Sequence, residues 1–196
     1  GSEMCIRDRI YMASFTNAVK VTNFQIKSVE PIYSNQTLTG QRIIRSTGIQ
    51  YYQIALTLNF NPVALGEVNG FLAQYSQGKP FTVSLGLAGA YHGTQTGALT
   101  SSAQSTAGSV VVNTSTNTMA VGQMIQFTNH NKLYKIIDRT NTSLTIFPAL
   151  QNVVQTGEII RYDALIIEAV LDPDNDYTMP INNIMTLNLK ATENIV

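Results

Sequence analysis

The side chains best able to bind a metal ion are three aspartates, Asp172, Asp174 and Asp176. Calcium-binding loops begin with this spacing of two residues, because alternate carboxylates can wrap around one cation. The rest of that pattern is missing, since Tyr177 stands where the sharp turn needs glycine and Asn183 replaces the closing glutamate. The sequence therefore favours an ordinary acidic loop between two strands over a calcium site.

Other candidates for chemistry are few. His92 and His130 stand in separate turn regions without a spaced partner ligand, which predicts surface imidazoles and no metal role. Acid–base work on a glycosidic bond needs two carboxylates that flank the bond, and the best pair is Glu158 and Asp163, which would stand on opposite sides of a strand end. No nucleophile elbow, phosphate-binding glycine loop, zinc-protease or dinucleotide motif occurs. We expect no catalytic, cofactor-binding or metal-binding residue, and a protein that is not an enzyme.

Aromatic side chains offer a different kind of site, a platform on which a sugar ring or a base can stack. Of the adjacent pair Tyr51 and Tyr52, strand alternation directs Tyr52 into the core and leaves Tyr51 outside. Arg42 and Arg45 are three residues apart in a predicted strand, so they face opposite ways and form no joint basic patch. Tyr51 and Tyr91 keep a carbohydrate-binding or adhesin function open as the alternative to a structural role.

The overall charge excludes some partners. The chain has 196 residues with 12 Lys and Arg against 12 Asp and Glu, so its formal net charge is zero. A neutral chain has no net positive charge to attract the phosphates of a nucleic acid. In addition, no apolar run approaches the roughly 18 residues of a membrane span. We expect neither nucleic acid nor membrane as a partner. Little electrostatic repulsion keeps copies apart, so self-association meets little resistance.

The first residues do not look like part of the fold. Gly1-Ser2 has the form of a cloning remnant, and the run from Glu3 to Arg9 resembles a translated sequencing adapter. Met12-Ala13-Ser14 looks like a natural start. We therefore expect residues 1–11 to be a non-native leader, which removes Cys5 from consideration and with it any disulfide or thiolate site.

From Val19 onward, the sequence predicts an antiparallel β protein with one helix. Asn61 is a good helix N-cap and Pro62 suits the first helical position, after which apolar residues recur at helical spacing up to Tyr75. Gly66 and Gly70 weaken such a helix, so packing on the sheet must hold it in place. The strand before the helix alternates strictly, and its predicted core face consists of Tyr52, Ile54, Leu56, Leu58 and Phe60.

The second half of the chain suggests an insertion. Residues 88–107 are rich in Gly, Ala, Ser, Thr and Gln, which predicts a flexible linker or exposed loop. Residues 108–162 contain several short alternating runs separated by turn formers, which predicts a small closed β-module. We expect a discontinuous core of residues 12–87 plus 163–196. The predicted fold class is mainly β: an antiparallel β-sandwich or barrel core with one short helix and an inserted small β-barrel-like module.

Three segments carry a resemblance to a known class of proteins: TGQRIIRSTGIQYYQIALTLNFNP, then VNGFLAQYSQGKPFTV, then AVGQMIQFTNHNKLYKIIDRTNTSLTIFPALQ. In this order, they are similar to tailed-bacteriophage tail proteins of the distal-tail or baseplate type. The resemblance implies a virion protein, made in the host cytoplasm, whose core builds a ring and whose small β-domain lies outside it. It also implies partners: other copies in a cyclic homo-oligomer, most simply a hexamer, and other tail or baseplate proteins. We expect edge strands and loops to make the contacts between copies.

Overall fold

A computed structural model describes residues 15–16 and 18–195 of the chain. The expected leader, residues 1–11, and the start at Met12 lie outside the described residues. In chain order the strands are β1 (Val19–Val29), β2 (Ile32–Gln36), β3 (Arg42–Ser46), β4 (Tyr51–Phe60), β5 (Phe81–Ser84), β6 (Leu99–Thr100), β7 (Val111–Asn113), β8 (Met124–Phe127), β9 (Leu133–Arg139), β10 (Ser143–Phe147), β11 (Ile159–Arg161), β12 (Ile166–Leu171) and β13 (Met185–Glu193). The α-helix is α1 (Leu65–Tyr75), and short 3-10 turns span Pro62–Ala64 and Gly86–Gly89.

The strands form two curled antiparallel sheets and a separate two-stranded hairpin. The first sheet has the order β1-β4-β13-β12-β5 and the second has the order β6-β11-β8-β9-β10-β7, while β2 pairs only with β3. The predicted fold class, mainly β with antiparallel sheets and one short helix, is confirmed. The division into a core and an inserted module stays a prediction, for which an excision experiment is given in the Discussion.

The core of the first sheet follows from strict alternation in its central strands. In β4 the five residues predicted to face inward are all buried. Its neighbour β13 alternates in the same way, and Leu58 of β4 lies opposite Leu187 of β13 in the register. Helix α1 covers this face through Val68 and Phe71, so one side of the sheet is dry and the other is wet.

The helix begins and lies as its sequence predicts. The Asn61 side chain accepts a hydrogen bond from the backbone N–H of Ala64 at 3.2 Å, and Pro62 follows it. A methyl group built on Gly66 or on Gly70 would meet no atom within 4 Å beyond the helix itself. Neither glycine is needed for close backbone approach, so the helix simply lies on the sheet.

The open space at these glycines leads to a first prediction. The double variant Gly66→Ala/Gly70→Ala should be more stable than the natural chain by about 1 to 2 kcal/mol, because each alanine lowers the entropy of the unfolded state without a clash. Gly89→Ala is the matched control, since its Cβ would lie 2.8 Å from the Leu85 Cβ and should destabilise. Thermal unfolding of the two variants and the natural chain checks this, and a lower midpoint for the double variant than for the natural chain would contradict it.

The second sheet encloses a hydrophobic core of its own. Its buried side chains come from all six strands and from the loops between them. They are Leu99, Val112, Met119, Ile125, Phe127, Tyr134, Ile136, Leu144, Ile146, Leu150, Val154 and Ile160. The sheet therefore has the apolar interior that a separately folding unit requires.

The segment 88–107, predicted to be a flexible linker or exposed loop, takes part in the second sheet. It supplies β6, which pairs with β11, and it buries Leu99 and Ser101. Ser105 forms an isolated bridge with Val154, with backbone hydrogen bonds in both directions at 3.0 and 2.9 Å. The backbone N–H and C=O groups of β11 that do not face β8 need hydrogen-bond partners, and β6 provides them. Small polar residues can make such backbone pairs without a large side chain.

Candidate interaction surface

The most exposed element of the fold is the hairpin formed by β2 and β3. Strands β1 and β4 pair as far as Val29 and Tyr51, where the sheet ends, and the chain then continues outward as an arm, defined here as residues 31–47. At its base, the backbone N–H and the hydroxyl of Thr47 both donate to the carbonyl of Pro31, at 3.3 and 2.7 Å. The arm therefore begins at a closed, hydrogen-bonded base.

The tip of the arm is also well ordered by hydrogen bonds. The N–H of Thr37 donates to the carbonyl of Gln41, and the N–H of Gly40 donates to that of Thr37, both at 2.9 Å. Gly40 has φ +85°, a left-handed conformation that favours glycine. The Gln36 amide donates to the Gly40 carbonyl at 3.0 Å. This turn holds Leu38 at the tip, fully exposed.

The arm carries apolar side chains on both of its faces. In the register, Tyr33 lies opposite Arg45 and Asn35 opposite Ile43, and these four side chains share one face. The other face carries Ile32, Ser34, Ile44, Ser46, Gln36 and Arg42. Tyr33 has 74% of its surface exposed, and every residue of β2 and β3 is exposed. A bare two-stranded ribbon is marginal in water, and exposed apolar surface of this kind marks an interaction site.

The charge on the arm has a single sign. Between Glu30 at its base and Glu67 in the helix, the only charged residues are Arg42 and Arg45. As expected from their spacing, the two arginines lie on opposite faces of the hairpin. The Arg42 Nε donates to the Ser34 hydroxyl at 3.1 Å, which ties this guanidinium along the arm. The arm is therefore both apolar and basic.

One of the two edges of the first sheet, the one formed by β1, is less suited to contact than we expected from the sequence. Among the described residues, β1 pairs with β4 alone, and its register shifts between Thr22 and Gln25, where Asn23 has φ +48°. Such a bulge bends an edge away from new partners, and Lys20 and Lys27 on this strand add to the protection. The arm, with its exposed apolar side chains, is the stronger candidate for contact.

The three aspartates of the predicted acidic loop do not converge. Each carboxylate binds a different neighbour: Asp172 accepts from the Thr192 hydroxyl at 2.6 Å, Asp174 lies 3.4 Å from Lys190 Nζ, and Asp176 accepts from the N–H and the hydroxyl of Thr178. The bonds from Thr178 lower the pKa of Asp176. Among residues 15–16 and 18–195, no group of three acidic, histidine or cysteine side chains is placed to hold a metal ion.

The two histidines differ from each other. His92 is exposed, but His130 is only 4% exposed, so the prediction of a surface imidazole is wrong for His130. The turn after β8 folds back over the second core, where the His130 ring packs against Phe127 and Tyr134. Its Nε2 lies 3.2 Å from the carbonyl of Val153. This histidine fills space in the second sheet.

Glu158 and Asp163 are not brought together. Strand β11 lies between them in the chain, so they stand beyond its opposite ends. Glu158 is buried and accepts the backbone N–H groups of Asn129 and Gln155, both at 3.0 Å. Asp163 accepts the N–H of Tyr91 at 3.1 Å. Each carboxylate satisfies backbone donors, which is a structural role.

The two candidate aromatic platforms have different surroundings. The Tyr91 ring packs edge-on against Tyr162 at 4.9 Å, and the Tyr91 hydroxyl accepts the N–H of Gln95. Both groups are therefore engaged in contacts within the protein. Tyr51 instead lines a groove of about 560 Å³ on the wet face of the first sheet. The polar side chains in this groove are Gln53, Asp172, Thr192 and Asn194. Tyr52, as predicted, faces the core.

A buried ion pair joins the two sheets, and sequence reasoning missed it. Lys132, just before β9, places its Nζ 2.5 Å from an Oε2 of Glu193 in β13, and the two side chains are 4% and 0% exposed. Burial lowers the pKa of Lys132, opposed by the charge of Glu193. A signal was present, because Glu193 continues the core-facing alternation of Leu189 and Ala191. A carboxylate at such a position needs a cationic partner.

The same pair governs the surroundings of Tyr52. The ring centroid of Tyr52 lies 5.1 Å from Lys132 Nζ and 5.8 Å from Lys135 Nζ, within the range of cation–π attraction. Burial and the charge of Glu193 both raise the pKa of Tyr52, so its hydroxyl stays protonated well into the alkaline range. The junction between the sheets therefore combines a buried ion pair with a buried tyrosine ring.

Comparison with protein-family models gives no match for this chain, and comparison with curated proteins gives none either. In the described part of the chain, no helix is both long and apolar enough to cross a membrane. The function is therefore argued from the geometry above, in which the arm is the feature that most needs a partner.

Proposed function

We propose that this chain is a virion structural protein, a ring-forming adaptor at the tail end of a bacteriophage that acts by binding other copies of itself and neighbouring tail or baseplate proteins. The observation that carries the proposal is the arm. It is ordered at its base and tip, yet it leaves Ile32, Tyr33, Leu38, Ile43 and Ile44 exposed. The resemblance to distal-tail and baseplate proteins supplies the rest of the proposal, including the cyclic hexamer and the virion location.

Energetics support an assembly role for the arm. Burying one large apolar side chain is worth roughly 1.5 to 3 kcal/mol, so several of them at one contact help to offset the free-energy cost of association. The neutral net charge of the chain adds little repulsion between copies. A purely internal role is disfavoured, because the arm covers none of the buried cluster beneath the first sheet.

Assembly through the arm gives a second prediction. Leu38→Asp should weaken self-association by roughly tenfold or more, because it places a charge where an apolar side chain is buried in the contact. Thermal unfolding of the separated chain should be unchanged, since Leu38 is fully exposed within it. Light scattering over a range of protein concentrations, alone and with candidate tail proteins, measures the effect.

A matched control uses an exposed apolar residue elsewhere. Val63 is 89% exposed at the start of the helix, where an aspartate is well tolerated, so Val63→Asp should assemble like the natural chain. Equal assembly by the Leu38 and Val63 variants would contradict the role of the arm. A natural chain that stays monomeric in every mixture would overturn the adaptor proposal itself.

A carbohydrate-binding or adhesin function is the second candidate, and the groove beside Tyr51 is the observation that favours it. A half-buried aromatic ring beside amide, hydroxyl and carboxylate groups suits a neutral sugar. The side chains of Tyr51 and Gln53 make no hydrogen bond to any described residue, so both are free to bind a ligand. A strict monomer that is retained on an immobilised glycan would favour this function over the adaptor.

A further inference from the structure

Although the chain is neutral overall, its charges are unevenly distributed. No lysine or arginine stands between Arg161 and Lys190. The acidic residues in that interval are Asp163, Glu168, Asp172, Asp174 and Asp176. The charged residues of the arm, in contrast, are both arginines. The molecule therefore has one basic projection and one acidic region.

The loop that joins β12 to β13, residues 172–184, combines acidic and apolar exposure. Asp174 and Asp176 are exposed, and Ile181 and Ile184 have 90% and 69% of their surfaces exposed. Exposed isoleucines and acidic groups on one loop complement an arm that is apolar and basic. The β12–β13 loop thus offers the matching chemistry on the same chain.

This loop is held in place and can act as a fixed surface. The Asn175 side chain donates to the carbonyl of Lys190 and accepts its N–H, both at 2.7 Å, which mimics strand pairing along β13. Tyr177 and Met179 pack against the core of the first sheet. With one side anchored, the loop presents its acidic groups and isoleucines outward.

The arm and the end of this loop lie at opposite ends of the first sheet. The arm leads into Tyr51, the first residue of β4, whereas Met185, directly after the loop, lies opposite Phe60, the last residue of β4. Ten strand residues separate these ends by about 30 Å. One copy therefore cannot easily fold its own arm onto its own Ile184, and a neighbouring copy can.

We infer that the arm of one copy docks head to tail on the β12–β13 loop of the next copy through the face that carries Ile32, Ile44 and Arg42. In this contact Leu38 and the two isoleucines lie against Ile181 and Ile184, and Arg42 faces Asp174 and Asp176. This inference rests on the proposed function and names the partner surface of the arm. Because the two surfaces differ, the contact is heterologous and closes as a ring when the rotation between copies allows it.

Length and energetics agree with this contact. A five-residue strand extends about 17 Å, so the arm reaches well beyond its own sheet. Exposed ion pairs are worth only about 0.2 to 1 kcal/mol each, so the apolar side chains supply the affinity. The charges determine which surface is chosen and how the arm is oriented on it.

Charge reversal tests the docking. Arg42→Glu/Arg45→Glu reverses the arm and Asp174→Arg/Asp176→Arg reverses the loop, and each variant alone should assemble at least tenfold more weakly at low salt. An equimolar mixture should assemble again, because each reversed surface meets a complementary one in an alternating ring. Carrying all four substitutions on one chain should also restore assembly. Sedimentation velocity measures the distribution of species.

The control is Lys20→Glu/Lys27→Glu, which changes the net charge by the same amount as the arm variant but lies on β1. It should assemble like the natural chain. Normal assembly by both charge-reversed variants, together with failure of Leu38→Asp, would overturn the loop as the docking surface and leave the adaptor function standing. A natural chain that never self-associates also overturns this inference, and a complex with a tail protein would then still support the adaptor.

Discussion

Replacing Lys132 by methionine should destabilise the fold by about 3 to 5 kcal/mol, the largest effect that we expect from a single substitution. The lysine is the cationic partner of Glu193, whose side chain has no exposed surface. Methionine keeps the length and packing of the side chain but leaves a carboxylate buried without a counter-charge. For a chain of this size, the loss corresponds to a melting temperature lower by roughly 6 to 20 °C.

Glu193 cannot simply move away from the vacated position. One of its oxygens accepts the N–H of Tyr52 at 3.0 Å and the other lies 3.4 Å from the N–H of Leu133. These bonds hold it between the two sheets. Adding Glu193→Gln to Lys132→Met should therefore recover much of the stability, because a neutral amide keeps an acceptor for Tyr52 and removes the buried charge.

Lys190→Met is the matched control for the lysine variant. Lys190 Nζ lies 3.4 Å from Asp174, but both side chains are more than half exposed. Loss of this ion pair should therefore lower the stability by at most about 1 kcal/mol. Chemical denaturation of the three variants and the natural chain separates these cases. A cost below 1 kcal/mol for Lys132→Met would show that water reaches Glu193 and that the two sheets do not enclose it.

The second large effect concerns where the inserted unit begins. An isolated fragment of residues 91–162 should fold cooperatively and should be more stable than a fragment of residues 108–162 by about 2 to 5 kcal/mol. The shorter fragment lacks Leu99, which is fully buried in the second core, and removal of such a side chain costs this much. It also exposes the outer side of β11, which pairs with β6.

The two ends of the longer segment are close together, which suits an insertion. The Tyr91 and Tyr162 rings pack edge to face with centroids 4.9 Å apart, and the N–H of Leu165 donates to the carbonyl of Gly89 at 3.2 Å. Replacing residues 91–162 by a short Gly/Ser link should therefore leave the first sheet folded. Circular dichroism and thermal unfolding of both products test this, and loss of β structure from both would show one shared core.

Much of the fold could be predicted from the sequence because local patterns dictate it. Alternation in β4 identifies its buried face residue by residue, and Asn61 with Pro62 predicts the start of the helix. These features depend on neighbours within a few residues. The pairing of segment 88–107 with the second sheet could not be predicted, because small polar residues carry no periodic signal when their role is backbone pairing with a distant strand.

The candidate surface was only partly predictable, for the same reason. Sequence alone predicts a strand at Arg42 and Arg45 and places them on opposite faces, but it does not say whether a hairpin lies on a sheet or projects from it. That depends on where β1 and β4 stop pairing, at Val29 and Tyr51. Once the hairpin projects, residues that look like ordinary core isoleucines become exposed.

By itself, the sequence determined the strand and helix pattern, the predominantly antiparallel β class, the neutral charge and the absence of recognised catalytic motifs, because composition and short-range periodicity carry these properties. The tertiary structure alone decided that Lys132 meets Glu193, that His130 is buried and that the arm stands clear of the core. These facts join residues far apart in the chain or depend on which surfaces remain uncovered. Burial and pairing follow from three-dimensional packing, so no local pattern can state them.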